Sequence, residues 1–449
     1  MAPQQLVHSS TTGPDHVRPT ATTGLAVWVA GNTRLIAMLV SLAGLLLILI
    51  TLRPYGVPES ALTQARQGDP VNQIGFLMAG ALSVVALATL ADRRILLPAL
   101  GLTWLLVLVI FAISVAITPA PDQTLRSVAL TLIAMVVAFT TLAVVPDERA
   151  FRRVFASACL IVLCLAYVSV IAMPTLAVHQ GFELESQHAG LWRGHYTHKN
   201  LAGPIMSVIA LFGIYCWRAG DRAIGAIIAI LGTIFVIQTG SKTTLGFLPV
   251  AAAIVMLRPL FGSARLVVAA HALVLLAAFM LTIGTVLVPG IESFIQQNTS
   301  DPTFTGRTEI WRFAIDWMAT KPWFGQGFAN FWLTPTVMLQ EPNFEENWDI
   351  RGVVSGHSNY VDMPLLFGVI GAGIIFWALL IAPMIDYVRA TRRAANRDLA
   401  DFFMTVVIFM SLLSLMETFF FNRTDSFWLL VVIAVFGLRL LSRTRLKSG

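Results

Sequence analysis

The sequence DPTFTGRTEIWRFAIDWMATKPWFGQGFANFW occupies residues 301–332, and SGHSNYVDMPLLFGVIG follows at 355–371. The whole span from Asp301 to Gly371 is the longest polar segment between hydrophobic ones, and it is rich in Arg, Trp, Asn and Glu. Polar clusters around Arg307 and around His357 mark its two ends. Nearly everything outside it is an apolar run of helix length, so any chemistry is expected here.

Composition fixes the rest of the frame. Of the 449 residues 57% are hydrophobic and only 12% charged, and the mean hydropathy is +0.77. A soluble domain carries about a quarter charged residues. The expectation is therefore an all-α polytopic membrane protein. A spanning helix needs about 20 apolar residues, and twelve stretches qualify: 35–52, 73–91, 98–117, 126–145, 154–173, 201–217, 223–239, 243–260, 265–289, 363–388, 400–420 and 426–442. The run 24–30 is too short to span. Residues 1–22, rich in Ser, Thr and Pro, carry no cleavable signal pattern and are expected to be disordered. This divides the chain into a tail (1–33), nine helices (34–290), a large extracytoplasmic loop (291–362), and three helices with a basic tail (363–449).

Basic residues orient it. Short loops holding Arg93, Arg94, Arg149, Arg152, Arg153, Arg389, Arg392 and Arg393, the end residues Arg18 and Arg34, and the tail Arg443, Arg445 and Lys447 fall on one side, which is expected to be cytoplasmic. Both termini are then expected on the cytoplasmic side, and the 301–371 stretch on the outer side. The net charge of +6 is read as this asymmetry and not as a nucleic-acid signal. Cys159, Cys164 and Cys216 lie in apolar runs and read as small buried hydrophobes, not as a disulfide or metal set.

Three more features face the same side: MPTLAVHQGFELESQHAGLWRGHYTHKN at 173–200, the tight turn TGSKTT at 239–244, and METFFFNRTDSFW at 416–428. Arg307 opens an amphipathic segment, 307–320, with Ile310, Trp311, Ala314, Ile315, Trp317 and Met318 at helical spacing; KPWFGQG ends it. An Arg at a helix start works against the dipole, so anion binding through its fork of donors is a reason to have it there. Arg312 sits four before Asp316, the spacing of an ordinary ion pair. Lys242 offers a point charge for a phosphate, although a headgroup contact explains it as well. His357, among small polar residues, can take a proton from a hydroxyl, and Asp362 can orient its ring or act alone. His188, His195 and His198 lie near Glu183 and Glu185. His195 and His198 have a spacing that a metal permits, but nothing else there matches a metal pattern, and Lys199 and Asn200 suit a polar substrate surface. The aromatics Trp311, Trp317, Trp323, Phe324, Phe328, Phe331, Trp332, Phe344 and Trp348 suit sugar stacking. His271, inside an apolar run, reads as a bundle-facing polar residue.

The ordered set TGSKTTL (239–245), GRTEIWRFAIDWMATKPWFGQGFANF (306–331) and GHSNYVDMPLLFGVIG (356–371) resembles the O-antigen ligase superfamily, which holds lipopolysaccharide O-antigen ligases and repeat-unit polymerases. HYTHKNLAG (195–203) resembles the exopolysaccharide polymerase branch, ExoQ-like. The resemblance spans roughly 195–440. It implies a membrane-embedded, GT-C-like, inverting glycosyltransferase that uses a glycan on a polyprenyl diphosphate and needs no metal or other cofactor. By motif, Arg307, Lys242 and Arg312 would bind the diphosphate, and His357, with Asp362, would activate the acceptor hydroxyl. His198, Lys199, Asn200, Trp311, Asn359 and Glu417 would hold glycan or acceptor. Lys242 stands where ligases usually carry Arg, and PLLFG stands where an acidic residue is frequent. The implied partners are the lipid-linked oligosaccharide, an acceptor glycan and the bilayer, with a flippase and a chain-length regulator as further candidates and no nucleic acid. Two rivals stay open: a ligase acting on lipid A-core or protein, and a transporter of glycan or lipid-linked glycan.

Overall fold

A backbone in hydrocarbon must satisfy its own polar groups, which leaves helices or closed barrels. The computed structural model is all-α: a polytopic membrane protein, described at residues 31–56, 69–99, 101–183, 186–299, 301–340 and 349–444. The 1–22 tail, the 24–30 run, Arg18, Glu185, Phe344, Trp348, Arg445 and Lys447 lie outside these residues. In chain order the principal helices are α1 (Thr33–Ile50), α2 (Pro70–Leu90), α3 (Leu102–Ile117), α4 (Pro121–Ala143), α5 (Glu148–Ala172), α6 (Lys199–Arg218), α7 (Arg222–Thr239), α8 (Lys242–Met256) and α9 (Ala264–Leu281). Then come α10 (Pro289–Asn298), α11 (Arg307–Thr320), α12 (Asn359–Phe376), continued through a π-helical turn into α13 (Ala382–Ala390), α14 (Arg397–Leu413) and α15 (Ser426–Arg443).

Each of the twelve apolar stretches coincides with a helix, and ten helices among the described residues are long and apolar enough to cross a membrane. The remaining two are α3, at 16 residues, and α14, at 17 residues with Arg397, Asp398 and Asp401 in its first turns. Helices α14 and α15 are buried along nearly their whole length and form the hub. Helices α2 and α9 lie at the periphery with Met78, Leu82, Leu273 and Leu276 bare, a surface that is stable against lipid and not against water. Helices α6 and α7 approach closely because Gly213 and Gly225 leave no side chain between them. A Cβ on either would fall 2.4 Å from a backbone nitrogen of the other helix. Cys159 and Cys216 are buried as expected, but Cys164 is exposed on α5; all three are unpaired.

Two boundaries differ from the sequence reading. The 265–289 stretch breaks at Thr282, and 400–420 uncoils after Leu413 so that residues 414–425 can fold over the bundle end. The larger surprise is inside α12, where Gly368 takes φ 67°, ψ −180° and interrupts the helix. The KPWFGQG loop fills the gap. Gln326 N donates to Leu365 O, Gly327 N to Leu366 O, and Val369 N to Pro322 O, each at 2.9 Å. The loop is held further by Phe328 N on Ser114 Oγ and by Thr124 Oγ1 on Phe328 O.

The aromatics of this region pack inward. Phe328, Phe111, Phe367 and Phe421 form one cluster, and Phe313, Trp317, Phe331 and Trp332 form another. Among the described aromatics of the expected sugar platform only Trp323 and Phe324 are broadly exposed. Most of the density that suggested stacking on sugars is the loop's own core.

Gly368→Ala should lower thermal stability by about 2 kcal/mol or more, because Ala disfavours positive φ and its Cβ would sit 2.2 Å from Trp323 C. Gly373→Ala, with nothing within 4 Å, should stay within about 0.5 kcal/mol of wild type. Fluorescence-monitored melting in detergent compares the two.

Candidate active site

Four separate segments converge at one end of the bundle. Arg307 opens α11, its backbone turned into place by Gly306 at φ 81°. Its Nη2 donates to Glu417 Oε1 at 3.1 Å, from the turn between α14 and α15. Lys199, 6% exposed at the start of α6, adds a second positive charge facing Glu417. His357, in the loop before α12, lies close enough to Arg307 to feel its charge.

The electrostatics follow from partial burial. Burial raises the Glu417 carboxyl above its ordinary value, opposed by Arg307 and Lys199. Burial, helped by Arg307, pushes the His357 imidazole down to about 4. The ring is therefore neutral at neutral pH, and it makes no hydrogen bond among the described residues. Its backbone sits at φ 49°, a left-handed conformation that is unfavourable for a residue with a Cβ. Such strain persists only where neighbours over-determine it.

Those neighbours are residues the sequence had suggested for chemistry. Asp362, 1% exposed, does not touch His357. Its carboxylate accepts Gly356 N at 3.0 and 3.1 Å, Trp332 Nε1 at 2.8 Å and Thr418 Oγ1 at 2.6 Å. Gly356 must be glycine for this, since a Cβ there would lie 2.6 Å from Asp362 Oδ1. Asp362 thus ties the His357 loop, the Trp332 loop and the Glu417 turn to one point. Asn359, fully buried, does the same for the turn. Its Oδ1 accepts Phe419 N and Phe420 N, and its Nδ2 donates to Ser414 Oγ. Trp311 is 0% exposed, with Nε1 donating to Gly356 O at 2.9 Å. Trp311 presents no free face for a sugar and the amide of Asn359 is bonded to the protein, so in this structure both act as supports of the site.

Arg312 points away from Arg307 and pairs with Glu292 (2.8 Å) and Glu309 (3.7 Å), not with Asp316. Its charge is already met at a distance from the convergence. Lys242 is exposed at the start of α8 and has no ion pair among the described residues. Its turn packs on the 191–203 segment, where Trp192 N donates to Gln238 O and Gly203 abuts Ser241 and Thr244.

In the 173–200 loop the histidines regroup. His195 is buried, with Nε2 on Leu49 O, and it stands apart from His198. The ring that joins His188 and His198 is His179, with centroids 4.9–5.8 Å apart. Its Nδ1 pairs with Glu183 and its Nε2 accepts the Lys199 N–H. His198 caps α6 by accepting Asn200 N. These bonds fix the start of α6, from which Lys199 acts on Glu417. The sequence reading missed His179, whose only signal was a fourth imidazole in the same short loop. His271 is buried in the bundle on Ser411 Oγ, as expected.

Replacing Asp362 by Asn keeps the volume but sets an NH2 against three N–H and O–H donors. The cost expected is about 1–3 kcal/mol, read as a lower melting midpoint with faster proteolysis of the 349–358 segment. A second test uses pH. The folded imidazole of His357 lies below the ordinary 6.5, so its contribution is present above pH 6.5 and is lost as pH falls toward 4. The midpoint of wild type should therefore drop more steeply than that of His357→Gln across this window.

Residues 226–376 of the chain match a family model, Wzy_C, described as O-antigen ligase. No curated protein matches the chain. The matched segment encloses Lys242, Arg307, Arg312, His357 and Asp362, while Lys199 and Glu417, which complete the convergence, lie on either side of it.

Proposed function

We propose that this protein is a glycosyltransferase of the bacterial inner membrane. It transfers a glycan from a polyprenyl diphosphate to a sugar hydroxyl and so extends a surface polysaccharide. The observation that carries this reading is the meeting of Lys199, Arg307, His357 and Glu417, drawn from four segments, at one end of a helical bundle. That end faces the periplasm on this reading. The opposite end, dense in Arg152, Arg218, Arg258, Arg393 and Arg397, faces the cytoplasm in keeping with the positive-inside rule.

The chemistry asks for little. The acceptor oxygen attacks the anomeric carbon, the bond from that carbon to the diphosphate oxygen breaks with inversion, and one proton leaves the acceptor hydroxyl. Arg307 and Lys199 supply positive charge where the leaving diphosphate develops negative charge, and Lys242 adds a third cation from the neighbouring turn. An arriving diphosphate competes with Glu417 for Arg307. His357 takes the acceptor proton on the ring nitrogen that carries no hydrogen. The diphosphate's charge beside it raises its affinity for that proton. Asp362, Asn359 and Trp311 keep these groups in register without touching the reacting atoms. The broken α12 does not favour a transporter, because its freed backbone groups bond to the KPWFGQG loop and do not line a path.

Complementation of a strain lacking the gene, scored by polysaccharide length on a gel at equal membrane protein levels, tests the reading. Wild type should restore long polymer. Arg307→Ala and His357→Ala should each leave single repeat units, a loss of about a hundredfold or more in transfer. Mutants that polymerise like wild type would refute it. If single repeats on lipid A-core are already missing in the null strain, the enzyme is a ligase.

A further inference from the structure

The turn that carries Glu417 presents a second cation that the convergence does not use. Arg423 is partly buried, and its Nη2 donates to Ser127 Oγ in the second turn of α4 at 2.8 Å. The Ser127 hydroxyl spends its proton on Gln123 O, so toward Arg423 it is an acceptor only. The other N–H groups of the guanidinium meet no acceptor among the described residues, and no carboxylate there lies within ion-pair distance. Asp425, two residues on, turns the other way to cap α15 through Trp428 N at 2.7 Å. By contrast Arg152, Arg193, Arg218, Arg258 and Arg307 each meet a carboxylate. Arg393 spends its Nη1 on the carbonyls of Leu441, Ser442 and Thr444.

A guanidinium drawn out of water without a counter-charge is costly. Burial pulls Arg423 below its ordinary value, with no anion to offset it. Nor does Arg423 belong to the Arg307 group: the cations acting on Glu417 are Arg307 and Lys199, and the one acting on His357 is Arg307. Its fork of donors fits one class of partner, an oxyanion taken by two parallel N–H bonds.

We propose that Arg423, braced by Ser127, is a separate oxyanion-binding site at this end of the bundle, taking a phosphate or carboxylate group apart from the Arg307 site. Two sources can bring such a group here: the headgroup phosphate of a phospholipid, and an acidic substituent on the glycan. Only the second rests on the transferase reading.

The test is a melting experiment on the purified full chain, which needs no activity and so stands if the transferase reading fails. Millimolar inorganic phosphate should raise the wild-type midpoint by a few degrees in neutral detergent. Arg423→Gln should lose most of that rise, whereas Arg307→Gln should lose at most the share that the Arg307 site contributes, and the double variant should lose all of it. Without phosphate, Arg423→Gln should melt at or above the wild-type midpoint, because the substitution removes an uncompensated charge; a purely structural Arg423 would melt lower. Transfer from neutral detergent into phosphatidylglycerol nanodiscs, with wild type stabilised more than Arg423→Gln, then reports the lipid source. Glucuronate-containing against neutral oligosaccharides report the glycan source. A phosphate response unchanged in Arg423→Gln, or a midpoint of that variant well below wild type without phosphate, overturns the proposal.

Discussion

Gly325 and Gly368 meet backbone to backbone, and the placement of both polar clusters depends on that contact. A helix broken within an apolar run leaves carbonyl and N–H groups that lipid cannot satisfy, at several kcal/mol each. Here they are taken up by main-chain groups of the inserted loop. Glycine is required on both sides, since a Cβ on Gly325 would fall 2.5 Å from Gly368 N and one on Gly368 would fall 2.2 Å from Trp323 C. Helix α11 runs directly into this loop, and the His357 segment runs directly into α12. Fixing the loop in the break therefore fixes the start of one helix against the approach to the other, and Trp311 Nε1 on Gly356 O closes the frame.

The two ends of the bundle use charge differently. At the end away from the site, Arg218 and Arg258 converge on Asp401, which also accepts Tyr387 Oη, and Arg152 bridges Glu148 to Asp221, with Tyr215 on Glu148. Each network joins helices that are neighbours in the bundle, and its groups find partners within the protein. At the site end Arg307 pairs with Glu417, Lys199 adds its charge to the field at the same carboxylate, and an imidazole that makes no hydrogen bond among the described residues stands beside Arg307. A buried ion pair returns little net stability against apolar packing. The Arg307–Glu417 pair beside a strained loop is therefore a weak way to hold helices together, and on the proposed reading it leaves the guanidinium available to an incoming anion.

Length and periodicity were legible in the sequence, and so were the features they dictate. Spanning helices announce themselves by twenty apolar residues, and 307–320 by its alternation of faces. The break at Gly368 did not, because glycine within an apolar run is compatible with an unbroken membrane helix. Only the loop that docks there shows the difference. Arg307 and His357 were legible because charge and polarity are rare in this chain. Asp362, Asn359 and Trp311 were equally visible, but their partners were not. Sequence shows that a polar side chain is present, not whether its partners are substrate or backbone, and here every polar atom of the Asp362 carboxylate is taken by the protein. Arg312 was assigned the partner four residues on, whereas Glu292 from α10 reached it first. Glu417 entered as a glycan or acceptor contact; its bond to Arg307 joins positions 110 apart, which no local pattern encodes.

The supports also explain why the site can hold an imidazole neutral beside a guanidinium. A His at φ 49° would relax to a commoner conformation if its flanks were free. Gly356 is held by Asp362, and Ser358 by Ser414 O, so the ring stays near Arg307, where protonation is disfavoured. Burial is the larger cause and remains, but an anion that binds Arg307 removes the part owed to the guanidinium, and displacing Glu417 frees the carboxylate from its only guanidinium partner among the described residues. On the proposed reading one event, arrival of the diphosphate, thereby does three things. It neutralises the cation, makes the imidazole a better proton acceptor, and releases a carboxylate beside the acceptor's path. On that reading the imidazole is more basic when the donor is present than when it is not, and this requires no moving domain: only a half-buried cation shared between a carboxylate of the protein and an oxyanion of the substrate.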